Sequence, residues 1–247
     1  MRTPGEIGVS AAPAPDPLSG NVETWARELL WNVDAFAHRS QQMHLGPSEV
    51  GNPCDRALVF KMAGVEPVNV GGVSLAAMAG TGMHATLAEG ITRQFASTSR
   101  YLIEHRVEYR GVSGTADLFD RQLKRVVDWK TASKEKLRRI KAKRQWTPQW
   151  TVQTAIYGAG MEAAGETVEE VSIVLIPRDG ELSDVIALTR PYDRDIADKA
   201  IDRLEELAGA RPSEVSTFPS ALCGWCPFFR ANWLGDRDVA CPGMTAA

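Results

Sequence analysis

GTADLFDRQLKRVVDWK, residues 114–130, places two short apolar runs on either side of the polar stretch RQLK. GTADLFD and RVVDWK each read as a strand, and the turn between them predicts an antiparallel hairpin. On such a hairpin Asp117 and Asp128 lie on adjacent strands. Lys130 shares the face of Asp128, and Trp129 points to the other. Like charges placed together are costly unless a cation sits between them. Hard oxygen ligands suit Mg²⁺ or Mn²⁺, and an ion held there would polarise a phosphodiester and lower the pKa of a bound water. Lys130 would orient that water or stabilise charge developing on the phosphate. The plainer alternative is a surface hairpin carrying an Asp/Lys pair, since Asp-x-Lys by itself is a common chance pattern.

Directly downstream, KEKLRRIKAKR (134–144) holds seven basic residues against one glutamate: Lys134, Lys136, Arg138, Arg139, Lys141, Lys143 and Arg144. A solvated helix face is the ordinary meaning of such a run. Its place between the hairpin and Trp146 and Trp150 also suits a groove that tracks phosphates and stacks bases. Further out the pattern is mixed. Helical spacing is expected over 21–40, with Trp25, Leu29, Val33 and Phe36 on one stripe, and over 52–64, 73–96, 149–165 and 194–210. Gly80 and Gly82 are weak points in the third of these. Alternation predicts a strand over 101–110, and 170–178 and 184–190 also read as strands. The order predicts an α/β core wrapped by helical extensions.

The chain has 247 residues, is 44% hydrophobic and 24% charged, and carries a net charge of −3. These are the values of an ordinary globular protein. The net charge is a weak argument against a nucleic-acid partner, because binding responds to local patches. No run approaches the roughly 18 apolar residues of a membrane span. MRTPGEIGVSAAPAPDPLSG, with no apolar h-region, reads as a disordered leader over residues 1–20, which leaves 21–247 as one domain. A cytoplasmic location is expected.

Four cysteines are present: Cys54, Cys223, Cys226 and Cys241. Disulfides, free buried thiols and ligation of a metal or cluster compete as readings. The Cys-x-x-Cys of CGWCPFF favours ligation, and four thiolates complete one site with nothing left over. Spacing alone does not separate zinc from iron–sulfur. Trp225, Phe228, Phe229 and Trp233 are expected to pack around the site.

Taken together, these motifs resemble the PD-(D/E)XK nuclease superfamily, with its Gly-x-x-Asp, ten-residue gap and Asp-x-Lys. Ala116 stands where the family name has Pro, and Asp128 takes a place that is often Glu. GTGMH (80–84) is similar to the Gly-x-x-x-His element of the RecB-like branch, and QTAIY (153–157) to its Gln-x-x-x-Tyr. The resemblance implies a PD-(D/E)XK core, with a central mixed sheet flanked by helices and a helical N-terminal extension. His84, Asp117, Asp128 and the Trp129 carbonyl would hold Mg²⁺ or Mn²⁺, with Asp117, Asp128 and Lys130 catalytic. Gln153, Tyr157 and the basic run would support the site and contact DNA.

One cysteine before the core and three after it resembles the iron–sulfur exonucleases of the CRISPR-associated RecB-like type. SEVGNPCDRALVF is similar to their N-terminal element, with Ser48, Cys54 and Arg56 at matching positions. This implies a 4Fe–4S cluster on Cys54, Cys223, Cys226 and Cys241, joining N- and C-terminal segments, with Arg56 among the supporting residues. The fourteen residues before Cys241 are a longer gap than that family usually shows. The implied activity is exonucleolytic hydrolysis of single-stranded DNA, in recombination, repair or spacer acquisition. The alternatives are a non-cleaving DNA-binding or assembly subunit and a structure-specific endonuclease. The setting would be a prokaryote or its virus, with no membrane partner.

Overall fold

The computed structural model describes residues 22–35, 44–69 and 74–243. Two compact units share them. One comprises residues 1–42 and 71–75 and the other 43–70 and 76–247. In the first, α1 (Val22–Ala35) is the expected first helix. Phe36, the last of its apolar stripe, and the leader 1–20 lie outside the described residues.

The second unit is built on five strands: β1 (Tyr101–Tyr109), β2 (Val112–Asp120), β3 (Arg125–Ala132), β4 (Glu170–Pro177) and β5 (Ile186–Pro191). They lie side by side in chain order, all antiparallel except β3 with β4. The sheet is therefore mixed, as expected. Parallel neighbours need a crossover, here made of α5 (Lys134–Lys143) and α6 (Pro148–Ala163). Ser133 and Thr147 cap these helices, their hydroxyls accepting the Lys136 and Trp150 N–H groups.

The hairpins have different turns. β1 and β2 are joined by Arg110 and Gly111, at φ 46° and 81°, with Tyr109 opposite Val112. Two consecutive positive φ values make the tight turn that matches strand twist, and glycine adopts one of them without strain. β2 and β3 are joined by residues 121–124, with Asp120 opposite Arg125. This is the hairpin expected from RQLK.

α6 lies across the sheet with Gln153–Met161 buried without a break. Its small residues allow the approach: a β-carbon on Gly160 would stand 2.7 Å from Val107 Cβ. Tyr157 and Met161 join Phe119, Val126 and Val171 in one apolar cluster. Ile173, Leu175, Ile186 and Leu188 form a second with Leu137 of α5. Each such side chain contributes about 1.5–3 kcal/mol by leaving water. α7 (Arg194–Leu207) buries Ala197, Ala200, Ile201 and Leu204, the i, i+3, i+4, i+7 stripe of an amphipathic helix.

Three expectations differ in detail. The helix expected over 52–64 is α3 (Asp55–Met62). The Asn52 side chain accepts the Cys54 N–H at 3.0 Å, and this local turn keeps Pro53 outside the helix. α4 (Leu75–Phe95) runs unbroken through Gly80 and Gly82. Trp146 and Trp150, beside which a base-stacking groove is expected, are both half-buried against the second cluster, and the Arg190 guanidinium lies 3.8 Å over the Trp146 ring.

Candidate active site

Register brings the acidic residues together. The β2–β3 ladder pairs Asp120 with Arg125, Phe119 with Val126 and Leu118 with Val127. The next position along sets Asp117 opposite Asp128. Ladder pairing stops there, and the Asp117 carboxylate instead accepts the Trp129 N–H at 2.7 Å. A backbone donor thus fixes one oxygen, Oδ2. The other, Oδ1, lies 3.2 Å from His84 Nδ1 on α4. Asp117 is the first cause of a raised His84 pKa, through this hydrogen bond, with burial opposing it.

Asp128 is 1% exposed. Lys130, two residues on, shares its face, and Lys130 Nζ stands 2.7 Å from Asp128 Oδ2. Apart from that ion pair the buried oxygen has no hydrogen-bond partner. Burial pushes the Asp128 pKa from 3.8 to about 6, with Lys130 opposing and Asp117 reinforcing. A carboxylate buried and incompletely paired is a costly arrangement for a purely structural residue.

Lys130 is held from the other side by α6. It donates to Gln153 Oε1 at 2.9 Å, and Gln153 Nε2 donates to the Tyr157 hydroxyl at 3.0 Å. Gln153 and Tyr157 are each 6% exposed. Burial raises the Tyr157 pKa, so the phenol stays neutral. The four-residue spacing of these two places both side chains on one helix face. The ammonium therefore has a carboxylate on one side and an amide oxygen on the other.

The basic run forms α5. Lys136, Arg138, Arg139, Lys141, Lys143 and Arg144 are exposed. Lys134 pairs with Asp184 at 2.7 Å, and Arg139 pairs with Glu135. Arg56 is placed elsewhere. It is 8% exposed on α3, and its guanidinium donates to the Val215 carbonyl at 3.0 Å. From there it fastens the C-terminal segment and faces no solvent groove.

The cysteines lie where the two ends of this unit meet. Phe60 stacks on Phe228 at 4.8 Å, and the Val68 and Asn69 N–H groups donate to the Pro227 carbonyl. All four thiols are free. Three sulfurs accept a backbone N–H: Cys54 from Phe218, Cys223 from Ser220 and Cys241 from Gly243, while burial pushes the Cys226 thiol up. Cys226 is within electrostatic reach of the other three. They do not form a group with all sulfurs inside 4.8 Å, as one tetrahedral zinc ion with Zn–S near ~2.3 Å would require. Phe228 is buried nearby, but Trp225 is 86% exposed. It lies between Cys223 and Cys226, at the end of the 3-10 turn Ala221–Trp225.

Sequence reading passed over one residue of the site. Glu104 of β1 brings a carboxylate oxygen within 4.8 Å of ligand atoms of both His84 and Asp117. The signal was the Arg110–Gly111 turn: counting back from Tyr109 opposite Val112 sets Glu104 opposite Asp117.

A model of the PD-(D/E)XK nuclease superfamily matches residues 37–231 of the chain. Among solved structures, the protein described as SSO0001 is similar with a TM-score of 0.50 and 15% identity, covering 91% of this chain and 98% of that one. An alkaline exonuclease, LHK-Exo of Laribacter hongkongensis, is similar with a TM-score of 0.48 and 10% identity, over 73% of this chain and 90% of its own. At these identities the likeness is one of fold. The comparison with curated proteins found no match.

Proposed function

The chain belongs to the PD-(D/E)XK nuclease superfamily, and on that premise we propose that it hydrolyses phosphodiester bonds of single-stranded DNA from an end, with Mg²⁺ or Mn²⁺. The observation that carries the reading is the face shared by Asp117, Asp128 and Lys130, with a buried Asp128 oxygen left without a hydrogen bond. The donor set fits a hard divalent cation: carboxylates, one imidazole and a backbone carbonyl. His84, Asp117, Asp128 and the Trp129 carbonyl would hold it. When bound, such an ion polarises the scissile phosphate and lowers the pKa of a coordinated water.

The chain's own residues then have defined tasks. Asp117, fixed by the Trp129 N–H, presents Oδ1 towards His84. Lys130, anchored by Gln153, holds its ammonium beside Asp128, where it orients the attacking water and stabilises charge on the phosphate. Gln153 and Tyr157 keep that ammonium in place. The exposed cations of α5 follow immediately after β3, so a strand engaged at the site would find phosphate partners there.

A 4Fe–4S cluster on Cys54, Cys223, Cys226 and Cys241 is part of the proposal. Its support is the convergence of two distant segments on the four cysteines, with backbone N–H groups donating to three of the sulfurs. A multi-iron cluster also spaces its ligand sulfurs more widely than one zinc ion does. The cluster would act mechanically, clamping α3 to the C-terminal segment. DNA recombination, repair or spacer acquisition in a prokaryote or its virus is the proposed setting.

Linear and covalently closed circular single-stranded DNA of equal length, incubated with protein and Mn²⁺, test the mode of action. Loss of the linear form with the circle intact is expected. Equal cleavage of both would replace end-dependent with internal cleavage.

A further inference from the structure

β1 supplies a carboxylate that the reading above leaves without a task. The β1–β2 ladder runs from Tyr109 opposite Val112 to His105 opposite Ala116 and resumes at Ile103 opposite Leu118. The rung between them, Glu104 with Asp117, is missing. Glu104 has φ 46°, in the left-handed region, which disfavours a residue with a β-carbon by roughly 1–2 kcal/mol. The apolar phase of both strands slips at this point. Leu102 and Phe119 on one side of the gap, and Val107 and Ala116 on the other, belong to one cluster. Odd spacings of five and three residues would send them to opposite faces of unbroken strands. Such irregularities re-aim side chains beside active sites.

The outcome is a row of three carboxylates across β1, β2 and β3: Glu104, Asp117 and Asp128. Like charges directly opposite one another destabilise a sheet, and both ladders open where the row crosses them. One oxygen of Glu104, one of Asp117 and a ring nitrogen of His84 lie within 4.8 Å of one another. Asp128, outside this group of three, is 1% exposed, and its Oδ2 has the Lys130 ammonium at 2.7 Å but no hydrogen bond of good alignment. Lys130 supplies one positive charge for the three acids.

We propose that Glu104 is a ligand of the divalent cation, reaching it from β1 together with His84 of α4 and Asp117 of β2. This rests on the nuclease reading and extends it by one residue. The strained backbone at Glu104 turns a solvent-edge carboxylate into the ion's shell. An imidazole among carboxylates favours Mn²⁺ over Mg²⁺ in this set.

Mn²⁺ binding, measured by calorimetry on the intact protein, tests the assignment without relying on turnover. Glu104→Gln preserves shape and removes the charge, and Glu104→Asp keeps the charge on a shorter arm. In the Gln variant Mn²⁺ affinity is expected to fall by about tenfold or more, the scale of losing a group that shapes a metal site. Cleavage should be lost at low Mn²⁺ and regained at high Mn²⁺, with the Asp variant intermediate. Wild-type affinity in both Glu104 variants overturns the assignment and leaves the nuclease reading standing. No Mn²⁺ binding by the wild-type protein overturns both.

Discussion

Lys130 Nζ stands 2.7 Å from Asp128 Oδ2, two residues away on one strand, with the carboxylate sealed from solvent and the lysine partly open to it. The carboxylate is buried and the ammonium beside it is partly exposed. Lys130→Ala should reduce kcat by about 10²–10³, as for loss of one donor to a developing charge. DNA affinity should stay near wild type. Single-turnover cleavage and equilibrium binding on the same preparations measure the two separately.

Protonation should link stability to pH in a definite direction. Asp128 has a pKa near 3.8 when unfolded and about 6 in the fold. The folded state therefore favours the protonated form. The resulting stability is fully present below pH 3.8 and is lost as pH rises through about 6, a change of at most ~3 kcal/mol. His84, also raised, loses its contribution in the same sense as pH rises through its folded pKa. Thermal unfolding in EDTA should show Tm decreasing between pH 4 and pH 7. A bound cation needs these groups deprotonated, so stabilisation by added Mn²⁺, and cleavage, should increase over the pH range in which the apo protein weakens.

Gln153→Ala should separate positioning from metal binding. It removes the 2.9 Å acceptor of Lys130 and the partner of the buried Tyr157 hydroxyl. A loss of about 1–3 kcal/mol in stability is expected from the orphaned groups, with kcat reduced and Mn²⁺ affinity unchanged. Tyr157→Phe, which takes only the outer link, should have the smaller effect on kcat. Equal loss of Mn²⁺ affinity would contradict the positioning role.

The α5 cations should be read through salt. Replacing Lys136, Lys141 and Lys143 together by Gln should shrink the slope of log K against log salt for single-stranded DNA by roughly 2, at about 0.7 per phosphate contact. The chemical step at saturating DNA should not change. Fluorescence anisotropy across a salt series gives the slope, and an unchanged slope would move the strand path away from α5.

Cysteine ligation has its own signature. Anaerobically purified protein should be brown, with about four irons per chain. Cys226→Ala should be colourless and less stable, because the clamp between α3 and the C-terminal segment is lost. A colourless wild-type protein would remove the cluster and leave the acidic face untouched.

Much of this was legible locally. RQLK announced the β2–β3 hairpin, and hairpin register alone sets Asp117 opposite Asp128. The spacing of Gln153 and Tyr157 put both on one face of α6. Glu104 was hidden because 101–110 was read as a simple alternating strand, when Leu102 and Val107 are already out of phase. That mismatch, with Arg110–Gly111 as a two-residue turn, carries the information. The surroundings of Trp146, Trp150, Trp225 and Arg56 depend on contacts far along the chain. Arg190 caps Trp146 from β5, and Val215 accepts from Arg56 across 159 residues. No short pattern encodes such pairings.

Whether this acidic face cuts DNA is read from end-labelled single-stranded DNA. Wild-type protein and Asp117→Asn, each with Mn²⁺ and with EDTA, would be followed over time on a denaturing gel. Asparagine keeps an oxygen for the Trp129 N–H while removing the charge. Progressive digestion by wild type with Mn²⁺, none in EDTA and none by Asp117→Asn is the predicted result. Equal digestion by Asp117→Asn, or no digestion by wild type, would contradict it.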